Sequence, residues 1–316
     1  MEAAPPRVLV ADELDAGAVE ELRRSAVVED LSATPAALAG RLGEAQGLLV
    51  RSRTKVTASL LSSAKGLRVI GRAGVGVDNI DMAEATRLGI PVVNAPQAAT
   101  ESVAELVVGL LVAVARDFGS QSFALHSGNW KKAGNGLELK GRTVGFVGYG
   151  RIARETGQRL RAFGMRVQAY DPFLPRTEDG TPLLPLPQLL ETSQVISLHT
   201  PLTPETHHMI GPAELQRMPR GSILINAARG GLVDEAALLS AVEQGHLAGA
   251  ALDVFEEEPP KDLRLLSHPK IITTPHIGAS TREAQARAGR TTVEQVLKVL
   301  RGETPEFCVN PEVWKR

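Results

Sequence analysis

Short apolar runs rich in β-branched residues alternate with helix-like segments along most of the chain. Alternation of this kind predicts parallel sheets whose strands are joined by right-handed helical crossovers. Four runs occupy residues 7–11, 47–52, 68–74 and 91–96. Six more occupy residues 143–147, 166–170, 194–198, 222–226, 249–254 and 270–274. We therefore predict an α/β fold with two doubly wound parallel-sheet domains, the second having the strand number of a complete dinucleotide-binding domain.

The apolar segment 103–115 (VAELVVGLLVAVA) separates the two sets of runs. It is shorter than the ~20 residues that a membrane-spanning helix needs, so we predict a buried helix. The polar, glycine-bearing stretch 127–141 that follows is predicted as a loop. Segment 281–300 predicts a helix that returns to the first set. The 316 residues then divide into a discontinuous domain, 1–99 with 283–316, and an inserted domain, 100–282, with a cleft between them.

Composition narrows the classes of function. The chain has 35 basic and 36 acidic residues, so it has no net positive charge to attract nucleic acid or an anionic membrane. The single cysteine, Cys308, excludes an intramolecular disulfide and any multi-cysteine metal site. The N-terminal segment MEAAPPRVLVADE has neither the charge order nor the apolar length of a signal peptide. We expect a cytoplasmic protein without a metal site.

A glycine pattern lies where a dinucleotide would bind. The strand TVGFVG leads directly into Gly148 and Gly150, and Ala153 completes a G-x-G-x-x-A pattern at the start of a predicted helix. The first glycine permits the tight turn, and the second lets the main chain approach a pyrophosphate. The main-chain amides of Arg151 and Ile152 then face the phosphates at the helix N-terminus.

Asp171 makes this signal specific, because it follows the next strand and lies 21 residues after Gly150. A carboxylate at that spacing can accept hydrogen bonds from ribose hydroxyls and would repel a 2′-phosphate. The next arginine is Arg176, so we predict NAD rather than NADP as the cofactor. The alternative is an ordinary tight turn followed by an aspartate that caps a helix.

Arg229, Glu258 and His276 each follow a predicted parallel strand within a few positions. Ligands bind beyond the carboxyl ends of such strands, so the three side chains can converge on one small molecule. Reduction of a ketone by hydride requires a proton at the carbonyl oxygen, which an imidazole supplies near neutral pH. A guanidinium can grip a carboxylate. Each residue also has a plainer interpretation: a helix entrance, a solvated glutamate run and a strand cap.

Three other histidines are not predicted to be catalytic. His199 ends a predicted strand before Thr200 and Pro201, so we expect it in the wall of the cofactor site. His207 and His208 lie in a predicted turn and are expected at the surface.

Six motifs resemble those of the D-isomer-specific 2-hydroxyacid dehydrogenases, and the likeness covers nearly the whole chain. They are GRAGVGVDNID (71–81), VGYGRIA (147–153), LHTPLTPET (198–206), NAARGGLVDE (226–235), ALDVFEEEPP (251–260) and TPHIGAST (274–281). The resemblance implies a Rossmann NAD domain inserted into a flavodoxin-like substrate domain. It also implies NAD-dependent interconversion of a D-2-hydroxy acid and its 2-oxo acid, most closely 3-phosphoglycerate and 3-phosphohydroxypyruvate.

The resemblance assigns residues by role. The catalytic arginine, glutamate and histidine are Arg229, Glu258 and His276. The implied cofactor contacts are Val75, Gly148, Gly150, Arg151, Ile152, Asp171, Thr200, Ala227 and Asp253. The implied substrate contacts are Arg51, Ser52, Arg72, Gly74, Val75 and Gly76. An apolar helix at residues 101–117 further predicts a homodimer.

Two departures from the family pattern bear on the substrate. Members that act on 3-phosphoglycerate commonly continue past residue 316 into a serine-sensing domain, so feedback of that kind is not expected. Ala99 stands where the family often has a substrate-holding asparagine. A glyoxylate or hydroxypyruvate reductase is therefore the alternative enzyme, and an NAD-sensing corepressor is the alternative of a different class.

Overall fold

The structure, a computed structural model, describes residues 4–130 and 135–314 and contains two parallel β-sheets. The chain forms two compact units, one of Met1–Ala99 with Ala279–Arg316 and the other of Thr100–Gly278. Its strands are β1 (Arg7–Val10), β2 (Val27–Asp30), β3 (Gly47–Val50), β4 (Val69–Arg72), β5 (Val92–Asn94), β6 (Thr143–Val147), β7 (Arg166–Tyr170), β8 (Val195–Leu198), β9 (Ser222–Asn226), β10 (Leu247–Leu252) and β11 (Ile271–Thr273).

The helices connect these strands and cover the sheets. They are α1 (Ala16–Arg23), α2 (Leu38–Arg41), α3 (Ala58–Leu61), α4 (Met82–Arg87), α5 (Thr100–Ala115), α6 (Phe118–His126), α7 (Arg151–Ala162), α8 (Leu186–Thr192), α9 (Pro212–Arg217), α10 (Glu235–Glu243), α11 (Leu263–Ser267) and α12 (Arg282–Leu300). The predicted fold class, α/β with two parallel-sheet domains, is confirmed.

The first unit has a five-stranded sheet in the order β2-β1-β3-β4-β5, with every neighbouring pair parallel. This is the flavodoxin-like order. The sequence analysis identified four of its strands and missed β2. Val27–Asp30 lies at the sheet edge with no fully buried residue, so it lacks the continuous apolar pattern of a central strand.

Helix α12 completes the apolar core of the first unit. Val293, Val296 and Leu297 of α12 are buried in one apolar cluster with Val8 and Val69 of the sheet. Burying a side chain of this size contributes ~1.5–3 kcal/mol, so the helix is a structural part of the unit. Helix α12 thus packs against the strands of the first sheet.

The second unit has a six-stranded parallel sheet in the order β11-β10-β9-β8-β6-β7. Beyond β7, Leu183 pairs with Ala169 in a single parallel bridge. The N–H of Ala169 donates to Pro182 at 2.9 Å, and the N–H of Leu184 donates to Ala169 at 2.8 Å. This segment takes the place of the third strand in the usual dinucleotide-binding order.

Helix α5 is buried as predicted, with Val103, Val107, Leu110 and Leu111 inside the second unit. No helix in the described part of the chain is long and apolar enough to cross a membrane. Helix α6 was not predicted, because none of its residues is buried and its sequence carries no apolar face. The predicted loop 127–141 is irregular over 127–130 and 135–141, and its residues 131–134 lie outside the described residues.

Candidate active site

The candidate residues of the second unit lie at one edge of its sheet. Because the strands are all parallel, their carboxyl ends share that edge. Each of the polar or small residues assigned by the resemblance follows a strand there. Gly148 follows β6, Asp171 follows β7, Thr200 lies two residues beyond β8, Ala227 follows β9 and Asp253 follows β10.

The glycine turn has the geometry that the sequence predicts. Gly148 has a φ of 85°, and a Cβ there would lie 2.7 Å from the carbonyl oxygen of His199. Any other residue would therefore be both strained and crowded. Gly150 begins α7 without a side-chain cap, and a Cβ on it would point into open space. Open space before an uncapped helix N-terminus fits the pyrophosphate of a dinucleotide.

The carboxylate of Asp171 is fixed beside this turn. Its Oδ2 accepts the N–H of Tyr149 at 2.9 Å, and its Oδ1 accepts the N–H of Phe173 at 3.0 Å. Each carboxylate oxygen can accept more than one hydrogen bond, so capacity remains for ribose hydroxyls. The predicted pairing of glycine turn and aspartate thus exists as a direct contact.

Tyr149 supports the turn from inside, and sequence reasoning missed it. Its side chain is 1% exposed, and its hydroxyl donates to Asp179 at 2.8 Å and lies 2.7 Å from Oγ1 of Thr181. Burial raises the pKa of Asp179, but hydrogen bonds from Tyr149 and Thr181 and the nearby charge of Arg161 outweigh it and lower that pKa to about 2. An aromatic residue between the two glycines was the available signal.

Glu258 and His276 are in contact. Nδ1 of His276 lies 2.8 Å from Oε2 and 3.0 Å from Oε1 of Glu258. The two side chains are 40% and 49% exposed, so a ligand could reach them. A carboxylate at Nδ1 orients the ring and leaves Nε2 as the nitrogen able to transfer a proton.

Asp253 holds the loop that carries His276. Its side chain is 1% exposed and accepts hydrogen bonds from Oγ1 of Thr274 at 2.6 Å and from the N–H groups of Ile277 and Gly278, both at 2.8 Å. His276 itself has a φ of 52°, a left-handed conformation that costs ~1–2 kcal/mol in a residue with a Cβ. The buried carboxylate stabilises this strained loop. Its role as a cofactor contact stays a prediction.

Arg229 lies in a turn organised by a buried asparagine. The side chain of Asn226 is 0% exposed, donates to the carbonyl of Arg229 at 2.8 Å and accepts the N–H of Ala228 at 3.1 Å. The next residue, Gly230, is so close to the following strand-end loop that a Cβ would overlap the main chain of Phe255. The Arg229 turn therefore abuts the loop that leads to Glu258.

The other histidines differ in their surroundings. The ring of His199 packs against Phe146 at 5.3 Å between centroids, and its Nε2 lies 2.8 Å from Oγ of Ser197. Burial lowers its pKa to about 3, so it is neutral at pH 7. His207 is exposed as predicted. His208 is also partly exposed, at 35%, although its Nε2 is shielded from solvent and lies 3.2 Å from Oε2 of Glu256.

In the first unit, a buried aspartate shapes the loop that carries Arg51 and Ser52. Asp12, 2% exposed, accepts the N–H of Arg51 at 2.6 Å, the hydroxyl of Thr54 at 2.7 Å and Nε of Arg53 at 3.2 Å. Burial raises the pKa of Asp12, but hydrogen bonds from Thr54, Arg51 and Arg53 outweigh it and hold that pKa below its usual range. Sequence reasoning missed Asp12.

The other candidate substrate residues follow the neighbouring strand. Arg72 ends β4, in register with Val50 of β3, so Arg72 and Arg51 lie at adjacent strand ends. A Cβ on Gly74 would collide with the guanidinium of Arg72, which therefore lies over the glycine main chain. Asn94 donates to the carbonyl of Val75 at 2.6 Å and so holds the segment 74–76. Ala99 is buried, 3% exposed.

The structure brings Glu258 into contact with His276, and Tyr149 into contact with Asp171. The same sheet edge also carries Arg229, Thr200 and Ala227. Arg51, Ser52, Arg72 and residues 74–76 form a separate group at the corresponding edge of the first sheet. Within the described ranges, no group of three or more histidine, cysteine, aspartate or glutamate residues is arranged to hold a metal ion.

A doubly wound sheet with a glycine turn, an aspartate after the next strand and a histidine–carboxylate pair defines a dinucleotide-binding protein of the dehydrogenase class. Residues 108–278 match the model of the family described as D-isomer specific 2-hydroxyacid dehydrogenase, NAD binding domain. The chain belongs to the D-isomer specific 2-hydroxyacid dehydrogenases.

Individual relatives are similar to the chain over nearly its whole length. D-3-phosphoglycerate dehydrogenase of Methanocaldococcus jannaschii is 46% identical over 96% of the chain, which spans 59% of that relative's length. The solved structure of the TT0316 protein from Thermus thermophilus is 41% identical, with a TM-score of 0.88 over 96% of this chain and 99% of that one. A glyoxylate reductase from Paecilomyes thermophila is 28% identical, with a TM-score of 0.88 over 98% and 100%.

Proposed function

We propose that the protein is an NAD-dependent oxidoreductase that interconverts a D-2-hydroxy acid and its 2-oxo acid. The substrate pair that we propose is 3-phosphoglycerate and 3-phosphohydroxypyruvate. The observation that carries the proposal is the contact of 2.8 Å between His276 and Glu258. It lies at the same sheet edge as the glycine turn.

The residues divide the chemistry between them. When bound, a reduced nicotinamide supplies a hydride to the carbonyl carbon of the 2-oxo acid. His276 donates a proton from Nε2 to the carbonyl oxygen, and Glu258 stabilises the charged ring before that transfer. The Arg229 guanidinium binds the substrate carboxylate and polarises the adjacent carbonyl. In the oxidative direction His276 accepts the hydroxyl proton instead.

The assignment of NAD rests on the second unit. Gly148, Gly150 and the amides of Arg151 and Ile152 would hold the pyrophosphate, and Asp171 would accept the ribose hydroxyls. The carboxylate at Asp171 disfavours a 2′-phosphate by like-charge repulsion. Thr200, Ala227 and Asp253 would line the same pocket, and Val75 stays a predicted contact.

The choice of a phosphorylated acid rests on the first unit. Arg51 and Arg72 at adjacent strand ends offer two cations to a phosphate dianion, and Ser52 and the amides of residues 74–76 offer hydrogen bonds. Arg53 also lies on this loop, but Asp12 already pairs with its guanidinium at 3.2 Å. The similarity to D-3-phosphoglycerate dehydrogenase over 96% of the chain supports the same substrate.

Glyoxylate or hydroxypyruvate reduction is the second candidate. Ala99 in place of an asparagine favours it, and the similarity to a glyoxylate reductase of the same fold supports it. The two candidates share the proton donor and the cofactor, and differ in how many cations the acid needs. A corepressor-type binding protein would bind NADH without turning over any acid.

A substrate panel decides between these functions. Oxidation of NADH would be followed with phosphohydroxypyruvate, hydroxypyruvate, glyoxylate and 2-oxoglutarate under identical conditions. We expect the highest kcat/KM with phosphohydroxypyruvate. A higher value with glyoxylate or hydroxypyruvate selects the second candidate. Tight NADH binding without turnover of any acid contradicts the enzyme and supports the binding protein.

We also propose a homodimer, located in the cytoplasm, the reducing compartment that suits a single cysteine. Residues 101–117 remain the predicted interface, and the adjoining α6 adds exposed apolar side chains: Phe118 (54%), Phe123 (75%) and Leu125 (53%). A second copy would remove this surface from water. Phe123→Glu should yield monomers in sedimentation equilibrium, whereas Phe173→Glu, at a residue 90% exposed elsewhere, should not.

A further inference from the structure

Two glutamates outside the proposed chemistry are bound to each other's main chain. The carboxylate of Glu235 accepts the N–H of Glu256 at 2.7 Å, and the carboxylate of Glu256 accepts the N–H of Glu235 at 3.1 Å. The two residues are 21 positions apart in sequence. A reciprocal pair of this kind fixes two loops against each other in both position and direction.

The arrangement brings like charges together. Burial raises the pKa of the Glu235 carboxyl, the N–H of Glu256 lowers it, and the charges of Glu256 and Asp262 raise it further. His208 opposes this repulsion, since its Nε2 lies 3.2 Å from Oε2 of Glu256. His208 holds a left-handed φ of 50°, and the ring of His207 stacks on it at 4.0 Å between centroids.

The three side chains belong to three loops at the candidate active site. Glu256 precedes Glu258 by two residues, and Glu235 begins α10 just after the turn that carries Arg229. His208 is tied to the same turn by its N–H, which donates to the carbonyl of Gly231 at 2.8 Å. At Gly230 the turn also abuts the main chain of Phe255.

We infer that Glu235, Glu256 and His208 form a clamp that positions the Glu258 loop against the Arg229 turn. The inference rests on the proposed function, in which Glu258 acts through His276. The three are positioning residues, because none contacts His276 or is assigned to a reacting atom. Their effect on the reaction passes through the placement of the Glu258 carboxylate.

The neighbouring glutamate supplies a matched control. Glu257 lies between Glu256 and Glu258 and pairs with Lys261 on its own loop, outside the clamp. Glu256→Ala should lower kcat roughly tenfold to a hundredfold, as small displacements of catalytic groups do, and leave the KM for NADH unchanged. Glu257→Ala should leave both near normal. Glu256→Gln keeps an acceptor and should recover most of the loss.

Two further measurements separate positioning from general damage. In a double-mutant cycle, Glu235→Ala combined with Glu256→Ala should be no slower than the slower single variant, because each change breaks one half of a reciprocal pair that fixes the loops only as a unit. Nuclear magnetic resonance of the His276 ring should show a hydrogen-bonded Nδ1 proton in the parent and in Glu257→Ala, and its loss in Glu256→Ala. This readout needs no substrate, so it tests the clamp even if the substrate panel fails.

Two results would contradict the clamp. If Glu256→Ala and Glu257→Ala have the same kcat and the same His276 ring resonance, the clamp is wrong. Additive losses in the cycle overturn it as well, because they assign the two glutamates to independent effects. If Glu256→Ala does not fold, Glu235→Ala takes its place in the comparison with Glu257→Ala. Absence of turnover in the parent protein contradicts the proposed function and leaves the resonance test of the clamp in force.

Discussion

The carboxylate of Glu258 contacts Nδ1 of His276 at 2.8 Å, although the residues are 18 positions apart and follow different strands. The contact depends on two loops that are each held from within: Asp253 binds the His276 loop, and the N–H of Phe255 donates to Glu258 at 3.3 Å. The pair is therefore placed by the sheet edge and its loops before any substrate arrives.

Removing the charge of Glu258 should slow turnover more than it weakens binding. Glu258→Gln retains the size of the side chain but no longer stabilises a charged imidazole, so we expect kcat to fall ~10²-fold with little change in KM. His276→Ala should lose at least as much. Steady-state NADH oxidation measures both, with Glu257→Gln as the control. Near-normal kcat in Glu258→Gln and His276→Ala would refute the assignment of the proton donor.

Asp171 should govern the choice between the two nicotinamide cofactors. Asp171→Asn keeps an oxygen for one of the two N–H groups that the carboxylate now binds and removes the charge that repels a 2′-phosphate. We expect the ratio of kcat/KM for NADPH to that for NADH to rise about tenfold or more. Glu178→Gln is the control, because that carboxylate pairs with Arg154 at 2.9 Å instead. An unchanged ratio would remove Asp171 from the ribose site.

Loss of the Asp12 carboxylate should destabilise the first unit. Asp12→Ala leaves the N–H groups of Arg51 and Thr54 without their buried acceptor, which costs ~1–3 kcal/mol of the free energy of unfolding. Arg53→Ala removes only a partner whose side chain is 58% exposed and should cost less than ~1 kcal/mol. Urea denaturation can follow Trp314 of this unit in a Trp130→Phe background. Equal losses in both variants would contradict the prediction.

His199 should make the protein sensitive to mild acid. Its pKa is about 3 in the folded protein against 6.5 for the free side chain, so the unfolded chain binds one more proton between these pH values. Its contribution to stability is complete above pH 6.5 and declines as the pH falls, by ~1.4 kcal/mol per unit.

The test compares the parent protein with His199→Gln, which cannot take up that proton. From pH 6.5 to pH 5 the parent should lose on the order of 2 kcal/mol more than the variant in urea denaturation. Asp12, whose pKa is lowered from 3.8, titrates below this window and does not confuse the comparison. Parallel pH profiles for the two proteins would contradict the lowered pKa of His199.

The sequence predicted the central strands well because they are buried on both faces and read as continuous apolar runs. Strands β6 and β9 have the predicted bounds, Thr143–Val147 and Ser222–Asn226. The misses are elements without that signal: the edge strand Val27–Asp30 and the exposed helix α6. Periodicity reports burial, so elements that bury little are invisible to it.

The glutamate run shows why the site was only partly predictable. Three adjacent carboxylates have the same chemistry, and only the family resemblance singled out Glu258. The structure gives each a different partner: Glu256 the N–H of Glu235, Glu257 the ammonium of Lys261, and Glu258 the imidazole of His276. Such distinctions depend on contacts between distant segments. Asp12 and Tyr149 escaped notice for the same reason.

The return of α12 to the first sheet affects how the chain is made. A ribosome releases residues 1–99 first, but Val8 and Val69 lack part of their apolar cover until Val293 and Val296 have emerged. The intervening unit, Thr100–Gly278, contains all of its own sheet and can fold meanwhile. The unit that contains the N-terminus is therefore synthesised first but folds last, and its strands remain accessible to chaperones during most of synthesis.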